Sequence, residues 1–221
     1  MTQAGDARVM DGQSRFDLFE TMAFDPQEGI VHLDRHIARM QASAATFGFQ
    51  FDRHALRNEL QTATFRVVEP SRVRLLLSRD GAIAVEVRPL GGWPQAVIPV
   101  AVVPRPAAAD DVRLCHKTTD RSLYDAARQA GGTYEVLMID ADGYLTEGSF
   151  TSIFLERGDR LVTPPLSRGL LPGVLRAHLL DIGEAVEEDI RPSDITGNFF
   201  IGNAVRGLVA ATLVARQADH R

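Results

Sequence analysis

Lys117 is the first residue of this sequence whose position suggests chemistry. It lies in LCHKTTDR, between an apolar segment at 96–104 and a segment at 120–130 with the pattern of a helix. A lysine held between structured elements can lose its hydrating water, which lowers the pKa of the amine and makes it a nucleophile or a former of Schiff bases. A solvated surface lysine is the alternative interpretation, and the segment alone leaves it open.

Glu147, in YLTEGSFTSIF, is the second candidate. Because neighbouring side chains alternate in a strand, Thr146 and Gly148 would face away from Glu147, and its carboxylate could point into the same cavity as Lys117. A carboxylate placed there could pair with a cationic ring nitrogen and hold it protonated. An exposed glutamate on a strand is the alternative.

Two further features could hold an anion. The segment GLLPGVLR, at 169–176, leads a glycine-containing loop into a predicted helix, whose free N–H groups and dipole suit a phosphate. Arg39, in HIARMQASA, lies beside the apolar stripe of another predicted helix and could reach into a site between two lobes. An ordinary helix start and a solvated arginine are the alternatives.

Other kinds of site find little support in the sequence. The six histidines and Cys115 show no paired spacing of metal ligands, and no P-loop, GxGxxG or GxSxG motif occurs. A net charge of −5 with scattered arginines argues against nucleic acid as a partner. One cysteine fits a reducing compartment, and no apolar run approaches the roughly 20 residues of a membrane helix. We therefore expect a cytoplasmic protein without a membrane segment.

Strands and helices must position these residues. Apolar residues at helical spacing predict helices at 33–47, 51–65, 120–130 and 171–183, the last with Pro172 in its first turn. Alternating segments around turn residues predict hairpins at 16–33, 71–90 and 152–164. Further strands are predicted at 96–104, 135–140, 144–149, 185–190 and within 199–214.

These elements mix without the strict βαβ alternation of a doubly wound sheet, which predicts an α+β fold with mixed sheets and flanking helices. The proline-rich segment at 105–111 predicts a boundary between two lobes. On this division a smaller N-terminal lobe spans residues 1–107, and a larger C-terminal lobe, 108–221, carries Lys117.

Taken in order, six segments resemble the class IV aminotransferase family, the fold-type IV pyridoxal phosphate enzymes. The family includes branched-chain aminotransferases, D-amino acid aminotransferases and 4-amino-4-deoxychorismate lyases. The similarity runs from about residue 16 to residue 214, and the segments read FDLFETM, LDRHIARMQASAATFGF, HKTTDRSLYDAAR, YLTEGSFTSIF, LVTPPLSRGLLPGVLRAHLL and IGNAVRGL. Three stretches, HKTTDR, GLLPGVLR and GNAVRG, are most similar to the lyases, including those fused to aminodeoxychorismate synthase. The resemblance implies the two-lobed fold of D-amino acid aminotransferases.

The resemblance also implies catalytic roles. Lys117 would carry pyridoxal 5'-phosphate as a Schiff base and shuttle protons, and Glu147 would bind the pyridine nitrogen. Thr21, in FETM, would face the substrate and assist protonation of the departing fragment. Arg121 and Arg206 would contact the substrate, with Arg206 holding a carboxylate by charge-assisted hydrogen bonds.

A second set of residues would hold the cofactor itself, by its phosphate and its ring. The members of this set are Arg39, Tyr124, Gly173, Val174, Leu175 and Ala204. Some positions depart from the family pattern. Ser152 stands where many relatives have asparagine, Ala204 where a hydroxyl often helps to hold the phosphate, and Leu175 where some have threonine. Ala23 follows FETM where arginine is frequent.

The resemblance implies a homodimeric lyase that acts on a small molecule in folate synthesis, releasing pyruvate and 4-aminobenzoate, with aminodeoxychorismate synthase as a possible partner. An aminotransferase for branched-chain or D-amino acids is the second hypothesis, because both reactions share the same cofactor machinery. A non-catalytic relative that binds a small ligand is the third.

Overall fold

The computed structural model describes residues 16–197 and 199–214. Helices and two separate β-sheets make up this part of the chain, so the predicted α+β class with mixed sheets is confirmed. Among the described residues no helix is both long and apolar enough to cross a membrane.

The first sheet is antiparallel and has four strands in the order β2-β1-β3-β4. Its strands are β1 (Leu18–Asp25), β2 (Gly29–Ile30), β3 (Ser71–Leu77) and β4 (Ile83–Pro89). Two helices cover one face, α1 (Leu33–Phe47) and α2 (Arg53–Thr64). Alternate residues of β3 are buried, as expected for a sheet with one covered face. The other residues of β3 face away from the helices.

Local capping explains where the two helices end and begin. Gly48 ends α1 in the left-handed conformation, with φ of 69°, which glycine adopts without steric cost. The Asp52 side chain then accepts hydrogen bonds from the backbone N–H groups of His54 and Ala55 and caps α2. The core between helices and sheet is built from residues such as Met22, Leu56 and Leu75.

The second sheet has eight strands in the order β10-β9-β8-β11-β12-β5-β6-β7 and mixes parallel with antiparallel pairs. The strands are β5 (Val97–Pro104), β6 (Glu135–Ile139), β7 (Leu145–Gly148), β8 (Ser152–Arg157), β9 (Arg160–Thr163), β10 (Ala185–Glu187), β11 (Phe199–Asn203) and β12 (Gly207–Leu213). The remaining helices are α3 (Ser122–Gly131) and α4 (Val174–Asp181).

Two sequence expectations differ from the structure in detail. The sequence predicted that the N-terminal lobe ends at residue 107. The two sheets divide the chain earlier, between β4 and β5, because β5 pairs in parallel with β6 and β12. The predicted place of Pro172 in the first turn of its helix is wrong, because α4 begins at Val174 with Gly173 as its N-cap residue. Pro172 instead leaves its carbonyl free to accept a hydrogen bond from Arg39.

The segment that carries Lys117 is fastened to the start of β1. The N–H of Phe19 donates to the carbonyl of Lys117 at 3.1 Å, and the N–H of Thr119 donates to the carbonyl of Asp17 at 2.9 Å. An ion pair between Arg35 of α1 and Asp181 of α4 joins the two helices that flank the region. Backbone hydrogen bonds therefore hold the lysine segment against the start of β1.

Candidate active site

A cavity of about 420 Å³ is lined by residues from both sheets and from the segments between them. Its lining includes every site residue named from the sequence: Thr21, Arg39, Lys117, Arg121, Tyr124, Glu147, Gly173, Val174, Leu175, Ala204 and Arg206. These residues come from six separate segments, so the fold brings the candidates together. The role of each one stays a prediction.

Lys117 is enclosed where it meets β1. Its Nζ lies 4.6 Å from the centroid of the Phe19 ring, close enough for a cation–π contact when the amine is protonated. Burial lowers the pKa of the Lys117 amine to about 7, and the nearby Arg39 guanidinium acts in the same direction. Glu20 and Glu147 act in the opposite direction without reversing the shift. Near neutral pH a large fraction of this amine is therefore unprotonated and nucleophilic.

The lowered pKa predicts how the reactivity of Lys117 depends on pH. We expect the rate at which a small aldehyde plus cyanoborohydride modifies Lys117 to rise with pH to a midpoint near 7 and then level off. Mass spectrometry can follow the modification at one residue, because Lys117 is the only lysine in the sequence. In the urea-unfolded chain the same rate should keep rising beyond pH 9. A folded protein that behaves like the unfolded chain would contradict the prediction.

Glu147 lies on β7 and its carboxylate is buried. The Tyr124 hydroxyl donates a hydrogen bond to Oε1 at 3.0 Å, and the Arg121 guanidinium lies 3.9 Å from the centre of the Tyr124 ring. Burial raises the pKa of the Glu147 carboxyl to about 7, against the lowering effect of the Tyr124 hydroxyl. A cationic group that entered the cavity beside Glu147 would stabilise its charged form.

Glu135, which the sequence analysis missed, anchors the turn that follows Glu147. This fully buried carboxylate accepts hydrogen bonds from the backbone N–H groups of Val136, Ser149 and Phe150 and from two hydroxyl groups. The hydroxyls belong to Ser149 and Thr151. Five donors on one carboxylate fix the turn between β7 and β8, and with it the direction in which Glu147 points.

Arg39 is positioned by Glu20, which the sequence analysis also missed. The guanidinium donates to both oxygens of Glu20, at 2.8 and 2.6 Å, and to the Pro172 carbonyl at 2.9 Å. His36 bonds to the same carboxylate at 2.7 Å. Burial alone would raise the pKa of the Glu20 carboxyl, but Arg39 and His36 outweigh burial and lower it to about 2. Three of the five N–H donors of Arg39 are thus used, and two remain for an anion.

The start of α4 adds further donors beside Arg39. Gly173, the N-cap residue, makes no side-chain cap, and the first N–H groups of any helix lack partners within it. The N–H groups of Val174 and Leu175 therefore belong to an uncapped helix start whose dipole favours negative charge. Together with the two free donors of Arg39, they have the chemistry of a phosphate site.

The wall formed by the first sheet carries two arginines, Arg72 and Arg74 of β3, that the sequence analysis did not single out. Arg72 lies 3.9 Å from Glu86. The side chain of Arg74 makes no hydrogen bond or ion pair within the described residues, and its Nε is buried without a partner. Its guanidinium lies 4.8 Å from the centre of the Phe19 ring. Strand alternation places both on one face of β3, since they are the charged residues of SRVRLLL.

Arg206 is less available than expected. It lies in the turn between β11 and β12, and its guanidinium donates to the Gly91 carbonyl at 3.3 Å and to the Tyr134 hydroxyl at 2.8 Å. The guanidinium also lies 5.3 Å from the centre of the Trp93 ring. Arg74 is therefore better placed than Arg206 to receive a negatively charged ligand.

Within residues 16–197 and 199–214 no three or more histidine, cysteine, aspartate or glutamate residues cluster as a metal site would require.

The chain is similar to known proteins in both sequence and fold. The model of the family named amino-transferase class IV matches residues 17–214. A proposed aminodeoxychorismate lyase of Schizosaccharomyces pombe is 29% identical over 184 residues, which cover 78% of this chain and 77% of the relative.

Two solved structures extend the comparison. A proposed amino-acid aminotransferase from Mesorhizobium loti superposes with a TM-score of 0.83 at 36% identity, covering 90% of this chain and all of that one. A proposed 4-amino-4-deoxychorismate lyase from Legionella pneumophila shares the fold, with a TM-score of 0.78 at 17% identity over 90% of this chain and 83% of that one.

Proposed function

The chain belongs to the class IV aminotransferase family of pyridoxal phosphate enzymes, and within that family we propose that it is a 4-amino-4-deoxychorismate lyase. The reaction would release pyruvate and 4-aminobenzoate, a precursor in folate synthesis. The similarity to the Schizosaccharomyces pombe relative supports this choice. The cationic wall around Arg74 is the observation that carries it.

The residues present fit pyridoxal phosphate. Lys117 offers an amine with a pKa of about 7, and Glu147 offers a buried carboxylate for a cationic ring nitrogen. Arg39 and the start of α4 offer donors for a phosphate. When bound, the cofactor supplies an electron sink for the carbon that carries the substrate's amino group.

The side chains of this chain would then divide the work of the reaction. The neutral amine of Lys117 takes the proton from the amine-bearing carbon, as a general base with a pKa near the working pH does well. Tyr124 holds Glu147 by a hydrogen bond to Oε1, and the buried carboxylate would hold the ring nitrogen in its protonated form. Thr21, on the same cavity, gives a proton to the departing enolpyruvyl fragment. In total the substrate loses the enolpyruvyl fragment, by cleavage of its C–O bond to the ring, and one ring proton. This elimination involves no net oxidation.

Arg74 separates the lyase from an aminotransferase of branched-chain amino acids. The lyase substrate carries two carboxylates, one on the ring and one on the enolpyruvyl group, and an unpaired guanidinium suits such a ligand. A branched-chain side chain needs an apolar pocket, and burying it against Arg72 and Arg74 would desolvate their charges without compensation.

Two neighbouring side chains allow this proposal to be tested. Thr21 of β1 pairs in register with Arg74 of β3, so the two line the same wall. We expect Arg74→Met to raise the KM for aminodeoxychorismate by about 10- to 100-fold with little change in kcat, because a charge-assisted hydrogen bond is lost. We expect Thr21→Val to lower kcat by about 100-fold with little change in KM, because it removes the proton donor.

Each of these two variants is the control for the other, since both change one side chain of the same wall. Full lyase turnover in Thr21→Val would remove that residue from the mechanism. An unchanged KM in Arg74→Met would contradict the carboxylate site, and faster turnover of branched-chain amino acids by that variant would favour the aminotransferase. The Mesorhizobium loti relative keeps an aminotransferase as the second candidate.

The proposal extends to the oligomeric state, the compartment and the partner of the enzyme. A homodimer in the cytoplasm, supplied by aminodeoxychorismate synthase, is the arrangement that the resemblance to the lyases favours. Sedimentation of the purified protein tests the dimer directly, and a monomer at micromolar concentration would contradict it.

A further inference from the structure

Ser152 presents a hydroxyl to the cavity that the mechanism above does not use. It is the first residue of β8 and is 8% exposed. Its side chain lines the cavity and makes no hydrogen bond within the described residues. The hydroxyl is open to the cavity rather than sealed in the core, so its proton is available to a ligand there.

The hydroxyl lies directly against the start of α4. A Cβ built on Gly173 would come within 2.7 Å of Ser152 Oγ, closer than any side chain tolerates. A larger residue at 173 would therefore force the hydroxyl to move away from the start of the helix. Although the hydroxyl is this close, it makes no hydrogen bond to the first N–H groups of α4 within the described residues. Both the hydroxyl and those N–H groups therefore remain available to a ligand in the cavity.

The surrounding groups define what that ligand is. Arg39 is held beside the start of α4 by its bond to Pro172, and Val174 and Leu175, whose N–H groups lack partners within the helix, line the same cavity. Every one of these groups can donate a hydrogen bond, and Ser152 adds another O–H. A cluster of donors at the positive end of a helix suits an anion with several oxygens, of which a phosphate is the best match.

We propose that Ser152 is a ligand of the cofactor phosphate, donating its hydroxyl proton to a phosphate oxygen that the start of α4 and Arg39 also hold. This inference rests on the proposed function only in requiring that the chain binds a phosphorylated pyridoxal.

The test compares the binding of two aldehydes that differ only in the phosphate. Pyridoxal 5'-phosphate and pyridoxal both react with Lys117, and the dissociation constant of each is measured by absorption titration of the cofactor-free protein. Ser152→Ala should weaken binding of the phosphorylated form by about tenfold and leave that of pyridoxal unchanged, as expected for one hydrogen bond to a charged group. Ser71→Ala is the matched control, because Ser71 is also buried but lies outside the cavity.

The outcomes separate this inference from the proposed function. An unchanged ratio of the two dissociation constants in Ser152→Ala would overturn the inference while leaving the cofactor in place. An equal loss of affinity for both aldehydes would also overturn it, since that would indicate a general disturbance of the cavity. A wild-type protein that binds neither aldehyde would contradict the proposed function itself.

Discussion

Replacing Lys117 with alanine will abolish covalent capture of pyridoxal phosphate and lower turnover by at least about 10³-fold, because the substitution removes both the nucleophile and the proton carrier. The amine has no substitute nearby, since the other 23 basic residues of the chain are arginines, which do not form stable Schiff bases. The measurement is the absorption band of the lysine-bound cofactor, together with the mass of the borohydride-reduced protein.

The borohydride experiment has an internal control. Any α-amino group can react slowly with the aldehyde, and the peptide that carries the reduced cofactor distinguishes this background from reaction at the lysine. In the wild-type protein this should be the peptide that contains Lys117. The alanine variant should carry it there in no detectable amount. A band of normal intensity in Lys117→Ala, or full turnover, would show that the amine is not the cofactor's point of attachment.

Replacing Glu147 with glutamine will lower kcat by about 10²- to 10³-fold, the cost of removing one preorganised charged group from a reaction centre. Glutamine keeps the shape of the side chain and can still accept the hydrogen bond from Tyr124, but it cannot hold a ring nitrogen in its protonated form. Capture of the aldehyde by Lys117 should survive. Steady-state kinetics and the absorption titration measure the two effects separately.

The same variant has a second, independent readout in the cofactor-free protein. The pKa of Glu147 is raised by burial from 4.5 to about 7, so the protonated carboxyl stabilises the fold below pH 4.5, and this contribution is lost as the pH rises through 7. We therefore expect the melting temperature of Glu147→Gln, relative to wild type, to increase between pH 5 and 8. A constant difference would show that the carboxyl titrates as in the unfolded chain.

The sequence was enough to predict that Lys117 and Glu147 would line one cavity. Lys117 and Glu147 stand in short segments whose neighbours predict a junction and a strand, and six ordered segments together resemble one family. One signal was available and unused: the chain contains a single lysine, although it contains many arginines. Lys117 therefore carries the only side-chain amine of this sequence.

The supporting residues could not be predicted, because their roles depend on contacts between distant segments. Glu20 meets Arg39 from a different element, and Glu135 meets the turn at 149–151 across two strands. Neither carboxylate differs in its local sequence from a surface glutamate. Arg74 is similar, since alternation places it on one face of β3 but does not say that the face borders the cavity.

Mixing the pyridoxal-phosphate-loaded protein with aminodeoxychorismate and quantifying the products tests the central claim most directly. The account predicts equal amounts of pyruvate and 4-aminobenzoate, formed over many turnovers without any keto acid acceptor, and none from Lys117→Ala. Transfer of an amino group to an added keto acid, without release of pyruvate from aminodeoxychorismate, would contradict the lyase and establish the aminotransferase instead.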